Sequence, residues 1–196
     1  MDNSYHFFAM MARMKYIERW ALMRNSSSEN ISEHSLDVAI IAHALAVIGN
    51  IRFGKNLDVY KAALIGMYHD ATEIITGDLP TPVKYFNAHI KSAYREVEHV
   101  AAHRLLGMLP EDMRESYHDL FFKEENDEYL WKLVKAADKL SALIKCIEEE
   151  KAGNTEFINA RLATEKAITE LGLEEVEVFQ KEFMNSYKLT LDELQL

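Results

Sequence analysis

Residues 57–76 read LDVYKAALIGMYHDATEIIT. Leu57, Tyr60, Leu64, Met67, Ala71 and Ile75 recur in steps of three or four, the spacing of one helix face rather than the alternation of a strand. The stretch predicts a helix over 57–76 that stops at Gly77. His69, Asp70 and Glu73 lie near its end. Residues three or four apart share a helix face, so an imidazole and two carboxylates would point one way, beside the apolar stripe. A solvated polar face would explain the same residues. Buried carboxylates, however, need partners, and a cation is the simplest.

The same period runs outward from this segment. Leu36, Ile40, His43 and Val47 form a second stripe, Ile90, Tyr94, Val97, Ala101 and Leu105 a third, and Leu130, Leu133, Ala137, Leu140, Ile144 and Ile147 a fourth. Helices are predicted near 5–15, 31–48, 57–76, 84–107, 111–122, 127–151, 155–171 and 173–187. Asn30 followed by Glu33 is a reciprocal cap at a helix start. Gly49, Gly77, Gly107, Gly153 and Gly172 fall where helices should stop, and only Gly66 sits inside a helical pattern. Strand alternation is absent, and no Pro- or Gly-rich linker divides the chain. The expectation is one all-α domain over 1–196, a single-domain helical bundle.

With 196 residues the chain can bury a substantial core. A formal net charge of −10 excludes a general nucleic-acid surface and repels anionic substrates at long range. A phosphate site would have to be built locally. Cys146 is the only cysteine, so no internal disulfide and no cysteine metal knuckle can form. Phe7 to Met14 lacks a signal-like cleavage region, and no apolar run approaches a membrane span. These features suit a cytoplasmic protein without nucleic-acid or membrane partners.

Other residues invite a chemical reading. His34 stands in the first turn of its helix, where histidines are often plain surface or capping residues. Asp138 borders the apolar stripe of 127–151 and is costly there unless paired. A salt bridge to Lys135 or Lys139 would satisfy it. Taken with His69 and Asp70, the imidazole nitrogens and carboxylate oxygens suit a borderline divalent transition metal. Arg19-Trp20 sets a planar cation suited to phosphate beside an aromatic suited to a sugar or base, although a core tryptophan with a surface arginine is the plainer reading of the pair alone. After Gly77, residues Asp78-Leu79-Pro80-Thr81-Pro82 follow a stiff, extended path. His43 reads as a core histidine. His99 and His103 are four apart but have no evident third ligand. Glu148 to Glu150 read as a solvated face.

The ordered pattern of His34, His69-Asp70 and Asp138 resembles the HD-domain metal-dependent phosphohydrolases. Glu18-Arg19-Trp20, 30–35 (NISEHS), 67–73 (MYHDATE) and 76–86 (TGDLPTPVKYF) narrow the resemblance to the bacterial HD-domain 5'-deoxynucleotidases. The likeness covers almost the whole chain. It implies a helical HD-domain bundle that hydrolyses deoxyribonucleoside 5'-monophosphates to nucleoside and phosphate. It implies His34, His69, Asp70 and Asp138 as metal ligands, and Glu73 as an acidic group of the reaction. Arg19 would orient the phosphate, Trp20 would help select the sugar, and Asp78, Leu79, Pro80 and Thr81 would line the pocket. Asp78 would contact the sugar hydroxyl or assist the leaving group. The resemblance further implies cobalt in assays, with manganese or copper as substitutes, and a homodimer. HD enzymes acting on cyclic dinucleotides, triphosphates or alarmones are the nearest rivals. They need more cations, and the alarmone enzymes typically carry a second acid where this chain has Ile74. A non-catalytic nucleotide sensor is a rival of another kind, but it would need neither Glu73 nor Arg19 for chemistry.

Overall fold

The computed structural model describes residues 4–84 and 86–195, so Tyr85 of the 76–86 motif lies outside the described residues. Every regular element among them is helical, with one isolated bridge between Glu18 and Asn30. The helices are α1 (Phe7–Met11), α2 (Ile31–Phe53), α3 (Val59–Tyr68), α4 (Glu73–Thr76), α5 (Thr81–Lys84), α6 (Ala88–Leu106), α7 (Arg114–Phe121), α8 (Glu128–Lys151), α9 (Ile158–Thr169) and α10 (Glu174–Glu182). Short 3₁₀ turns take up several of the expected helix ends, at Met14–Tyr16, Glu111–Met113, Glu125–Asp127, Thr155–Phe157 and Met184–Lys188.

The start of α2 follows the expected chemistry. The Asn30 side chain accepts from the Ser32 and Glu33 amides, and Glu33 reaches back to the Asn30 amide. Its end does not. The helix runs through Gly49 and stops at Gly54, which takes the left-handed conformation at φ 63°. Gly49 is small for a packing reason: a Cβ there would lie 2.9 Å from both Glu175 Oε1 and Leu57 Cδ1. By length and composition α2 is also apolar enough to cross a membrane, contrary to the expectation from uninterrupted runs. Here it packs against α3, α8 and α10 and carries His34 inward.

The centre of the molecule is α2 against α3 and α8. Val38, Ile41, Ala42, Leu45, Ala62, Ile65, Leu133, Ala137 and Leu140 are its buried residues. Two smaller clusters, around Phe7–Leu105–Leu109 and Met14–Ile31–Ala71, join this core through Tyr68 and Phe121. The α8 stripe is buried as expected, but the stripes on α2 and α3 are not. Leu36 and Ile40 are 55% and 59% exposed, and Tyr60, Leu64 and Met67 are 77%, 43% and 42% exposed. Both helices are apolar on two faces, and Val38, Ile41, Ala42 and Leu45 on α2 with Ala62 and Ile65 on α3 form the inner one. His43 is accordingly half-buried, beside Tyr60, rather than in the core.

Candidate metal centre and substrate wall

The predicted helix over 57–76 breaks at the residues that matter most. α3 ends at Tyr68, a turn follows, and α4 begins at Glu73. In the turn the amides of Ala71, Glu73 and Ile74 bond to carbonyls three residues back, at 3.0, 2.9 and 3.3 Å. His69, Asp70 and Glu73 therefore do not share one continuous helix face. The tighter winding still brings the three together. Gly66 explains how α3 reaches the site: a Cβ there would sit 2.9 Å from Ala39 Cα, so the helices α2 and α3 touch backbone to backbone.

Three segments (α2, the turn after α3, and α8) deliver four side chains to one point. His34 is fully buried; its Nε2 lies 3.5 Å from Asp70 Oδ2 and 3.3 Å from Asp138 Oδ1. His69 Nε2 lies 3.1 Å from Asp70 Oδ2, and the two imidazole centroids are 5.3 Å apart. His69 Nδ1 donates to the Gly66 carbonyl at 2.8 Å, so in the neutral ring Nε2 carries the free lone pair. His34 Nδ1 pairs with Ser141 Oγ at 3.1 Å. Neither Nε2 finds a hydrogen bond of acceptable geometry among the described residues, though both are buried. Buried, unsatisfied nitrogens facing carboxylate oxygens fit a divalent cation better than any protein partner. Asp138 divides its oxygens: Oδ1 faces His34, and Oδ2 takes Lys139 Nζ at 3.1 Å. The expected salt bridge thus exists alongside the convergence.

The charges follow from this packing. Burial disfavours ionised Asp70, but His69 and His34 outweigh it and hold the carboxyl well below its usual range. For Asp138, burial is outweighed by the His34 hydrogen bond and by Lys139. Glu73 goes the other way. It is buried, its Oε2 has no partner among the described residues, and desolvation with the Asp70 and Asp78 charges pushes it up to about 10. Burial also raises Asp78, against the opposing pull of Arg19. Lys84 and Arg19 are the cations facing Glu73.

Arg19 and Trp20 form an adjoining wall. Arg19 is held charged against desolvation by Glu29, Asp138, Asp70 and Asp78. Trp20 packs on Phe157 at 5.3 Å and lies 5.8 Å beneath the Arg19 guanidinium carbon. Its φ of 61° is a strained backbone for a bulky residue. Leu79 and Pro80 are half-buried after Gly77, and exposed Thr81 opens α5.

Two acids were not anticipated from the sequence. Glu29 is buried and touches Arg19, Trp20 and His34. Its only sequence signal is its place just before the Asn30 cap. Glu149 lies 1% exposed inside the Glu148–Glu150 run read as solvated. It pairs with Lys145 and accepts from the Ser26 and Ser27 amides and from Asn154, pinning the loop that leads to Glu29. A second group, His118, Asp119 and Glu124, lines an open cleft of about 530 Å³ with His103. There Asp119 is already shared with Lys61 at 3.0 Å.

An all-helical frame that brings a lone histidine, a histidine–aspartate pair and a distant aspartate to one buried point defines an HD-domain phosphohydrolase. Solved structures share this frame. An HD-domain phosphohydrolase from Listeria innocua superposes with a TM-score of 0.81 at 22% identity, over 93% of this chain and 88% of that one. A cyanophage S-2L HD phosphohydrolase, bound to dA and one catalytic Zn²⁺, gives 0.63 at 18% identity over 93% and 96%. The family model described as 5'-deoxynucleotidase YfbR-like matches residues 6–187, and the chain belongs to that family of hydrolases. Proteins named 5'-deoxynucleotidase from Erwinia tasmaniensis and Vibrio cholerae are each 49% identical over 189 residues. The match spans 96% of this chain and 96% and 97% of those proteins.

Proposed function

We propose that the protein hydrolyses deoxyribonucleoside 5'-monophosphates to deoxyribonucleoside and phosphate, using a water activated at a single divalent metal. The observation that carries this reading is the pair of buried, unsatisfied Nε2 atoms of His34 and His69 beside the Asp70 and Asp138 carboxylates. These four residues would hold the metal, cobalt in assays with manganese or copper as alternatives. The metal would lower the pKa of a bound water and polarise the phosphoryl group.

The chain's own residues do the rest. Arg19 receives the phosphate with a planar fork of donors, and Trp20 walls the sugar. Glu73 takes a proton from the attacking water. Its upward shift reflects burial among acids, which Lys84, Arg19 and a bound dication all oppose. Attack in line with the 5'-oxygen breaks the P–O bond. The departing 5'-oxygen takes up a proton, and Asp78 assists that departure or contacts the sugar hydroxyl. His34, Asp70 and Asp138 border the phosphate as well as the metal, and Asp78, Leu79, Pro80 and Thr81 complete the pocket.

The whole chain is read as one domain, since its three core clusters share Tyr68 and Phe121. It is read as cytoplasmic, and as a homodimer. Support for the dimer is the outer face of α2 and α3. His43 meets Tyr60 across the two helices, and Leu36, Ile40, Tyr60, Leu64 and Met67 are exposed. Apolar surface of that extent suits a second copy. The substrate reading is tested by phosphate release and product analysis on one deoxy/ribo pair of monophosphates, a deoxynucleoside triphosphate and a cyclic dinucleotide. The deoxy monophosphate should have the highest kcat/KM. A higher value for the triphosphate or the cyclic compound would overturn it.

A further inference from the structure

We infer that Glu29 is the positioning residue of the substrate wall: one buried carboxylate sets both the Arg19 fork and the Trp20 indole. The inference rests on the reading that those two side chains contact the substrate. Trp20 Nε1–H donates to Glu29 Oε2 at 2.7 Å, and Arg19 Nη1 approaches the same oxygen at 3.5 Å. The other oxygen, Oε1, faces His34 Nδ1 at 3.9 Å. The Glu29 side chain is only 11% exposed, so it is committed to these neighbours rather than to solvent.

The backbone repeats the arrangement. The Arg19 amide donates to the Glu29 carbonyl at 2.9 Å, and the Ile31 amide donates to the Ile17 carbonyl at 2.9 Å. Residues 17–20 are thereby tied to 29–31. Within that clamp Trp20 occupies a left-handed backbone, at φ 61°. Bulky residues keep such a conformation only where the surroundings over-determine it. The bond to Glu29 and the packing on Phe157 are what hold the indole there. Glu29 thus fixes the separation between the phosphate-binding cation and the aromatic sugar wall, and ties both to the back of the His34 ring.

The test uses the cobalt-loaded full chain. Glu29→Ala and Glu29→Gln are made alone and in the Arg19→Ala/Trp20→Ala background. Helical circular dichroism, bound metal, kcat and KM are measured for one deoxy/ribo pair. Removing a buried charge-assisted bond should cost Glu29→Ala about 10–100-fold in kcat/KM and narrow the deoxy-to-ribo ratio. Glu29→Gln keeps an acceptor for the indole but no charge for Arg19. It should hold the ratio near wild type while kcat falls. In the doubly substituted background the further cost of Glu29→Ala should shrink below about 3-fold, because residues acting through one another are not additive. An equal cost in both backgrounds, or a Glu29→Ala protein with unchanged kinetics, would overturn the proposal alone. If Glu29→Ala does not fold, Glu29→Gln decides: unchanged kcat overturns the positioning role. Unaltered kinetics in Arg19→Ala/Trp20→Ala itself would overturn the substrate reading, and this inference with it.

Discussion

A carboxylic acid buried next to two other acids cannot ionise cheaply, and Glu73 is in that position beside Asp70 and Asp78. The proposed base is therefore coupled to the cation it works with. Glu73→Gln should keep the metal but lose turnover by roughly 10²–10⁴, the usual worth of a general base. Near-normal kcat would reduce Glu73 to a structural role. Arg19→Ala should lose about 10²–10³ in kcat/KM through one preorganised contact. Arg19→Lys should recover only part, because a point charge lacks the planar fork. Equal activity in all three proteins would remove Arg19 from the site. Trp20→Ala should narrow the deoxy-to-ribo ratio. An unchanged ratio with lower activity would shift sugar selection to the Asp78–Thr81 loop. The set His34, His69, Asp70 and Asp138 could be picked out from the sequence as metal-ligating residue types, and the fold brings the four together. Glu29 could not. Its role comes from a bridge between residues 18 and 30, a pairing that no periodicity encodes.

At the scale of elements, two local devices keep the site in register. One is the close approach of α2 and α3 at Gly66. Gly66→Ala would press a Cβ against Ala39 backbone atoms at 2.9–3.0 Å. Backbone cannot swing aside, so overpacking of about 1–3 kcal/mol is expected in denaturant unfolding. Metal affinity should drop too, since the Gly66 carbonyl orients His69. Unchanged stability and metal binding would contradict this. The other device is Glu149, which ties α8 to residues 26–27. Burial disfavours its charge, but Lys145, Ser26 and Asn154 more than offset that and hold its pKa below the usual value. A depressed carboxylate stabilises above its unfolded pKa, about 4.3, and loses that contribution as pH falls through its folded value. Glu149→Gln should be markedly less stable at pH 7, and the gap should narrow on acidification below about pH 4. A gap independent of pH would contradict it. The number and order of the long helices were readable from 3.6-residue periodicity. The inward faces of α2 and α3 were not, because both faces of each are apolar and the helical period fits either one. The break after Tyr68 was also hidden, since a tightening from four- to three-residue hydrogen bonds leaves no residue signature.

For the whole molecule, the same misread stripe becomes an exposed apolar feature of α2 and α3. Leu36→Glu combined with Leu64→Glu places charge on the outer face without touching the core. Light scattering should show a monomer for this variant and a dimer for the wild type, with the helical signal unchanged. A monomeric wild type, or a variant that stays dimeric, would reject α2 and α3 as the interface. The net charge of −10 gives the molecule no long-range pull on a nucleotide. In the proposed site, affinity would arise locally, from Arg19, Lys84 and the group His34, His69, Asp70 and Asp138. Everything in the proposed reaction therefore turns on the cation assigned to His34, His69, Asp70 and Asp138. The direct measurement is phosphate release from a deoxyribonucleoside 5'-monophosphate by chelator-stripped protein, with bound metal quantified, before and after adding cobalt or manganese. The account predicts no turnover in the stripped protein and recovery that tracks one metal per chain. Full turnover by protein shown to be metal-free would contradict it.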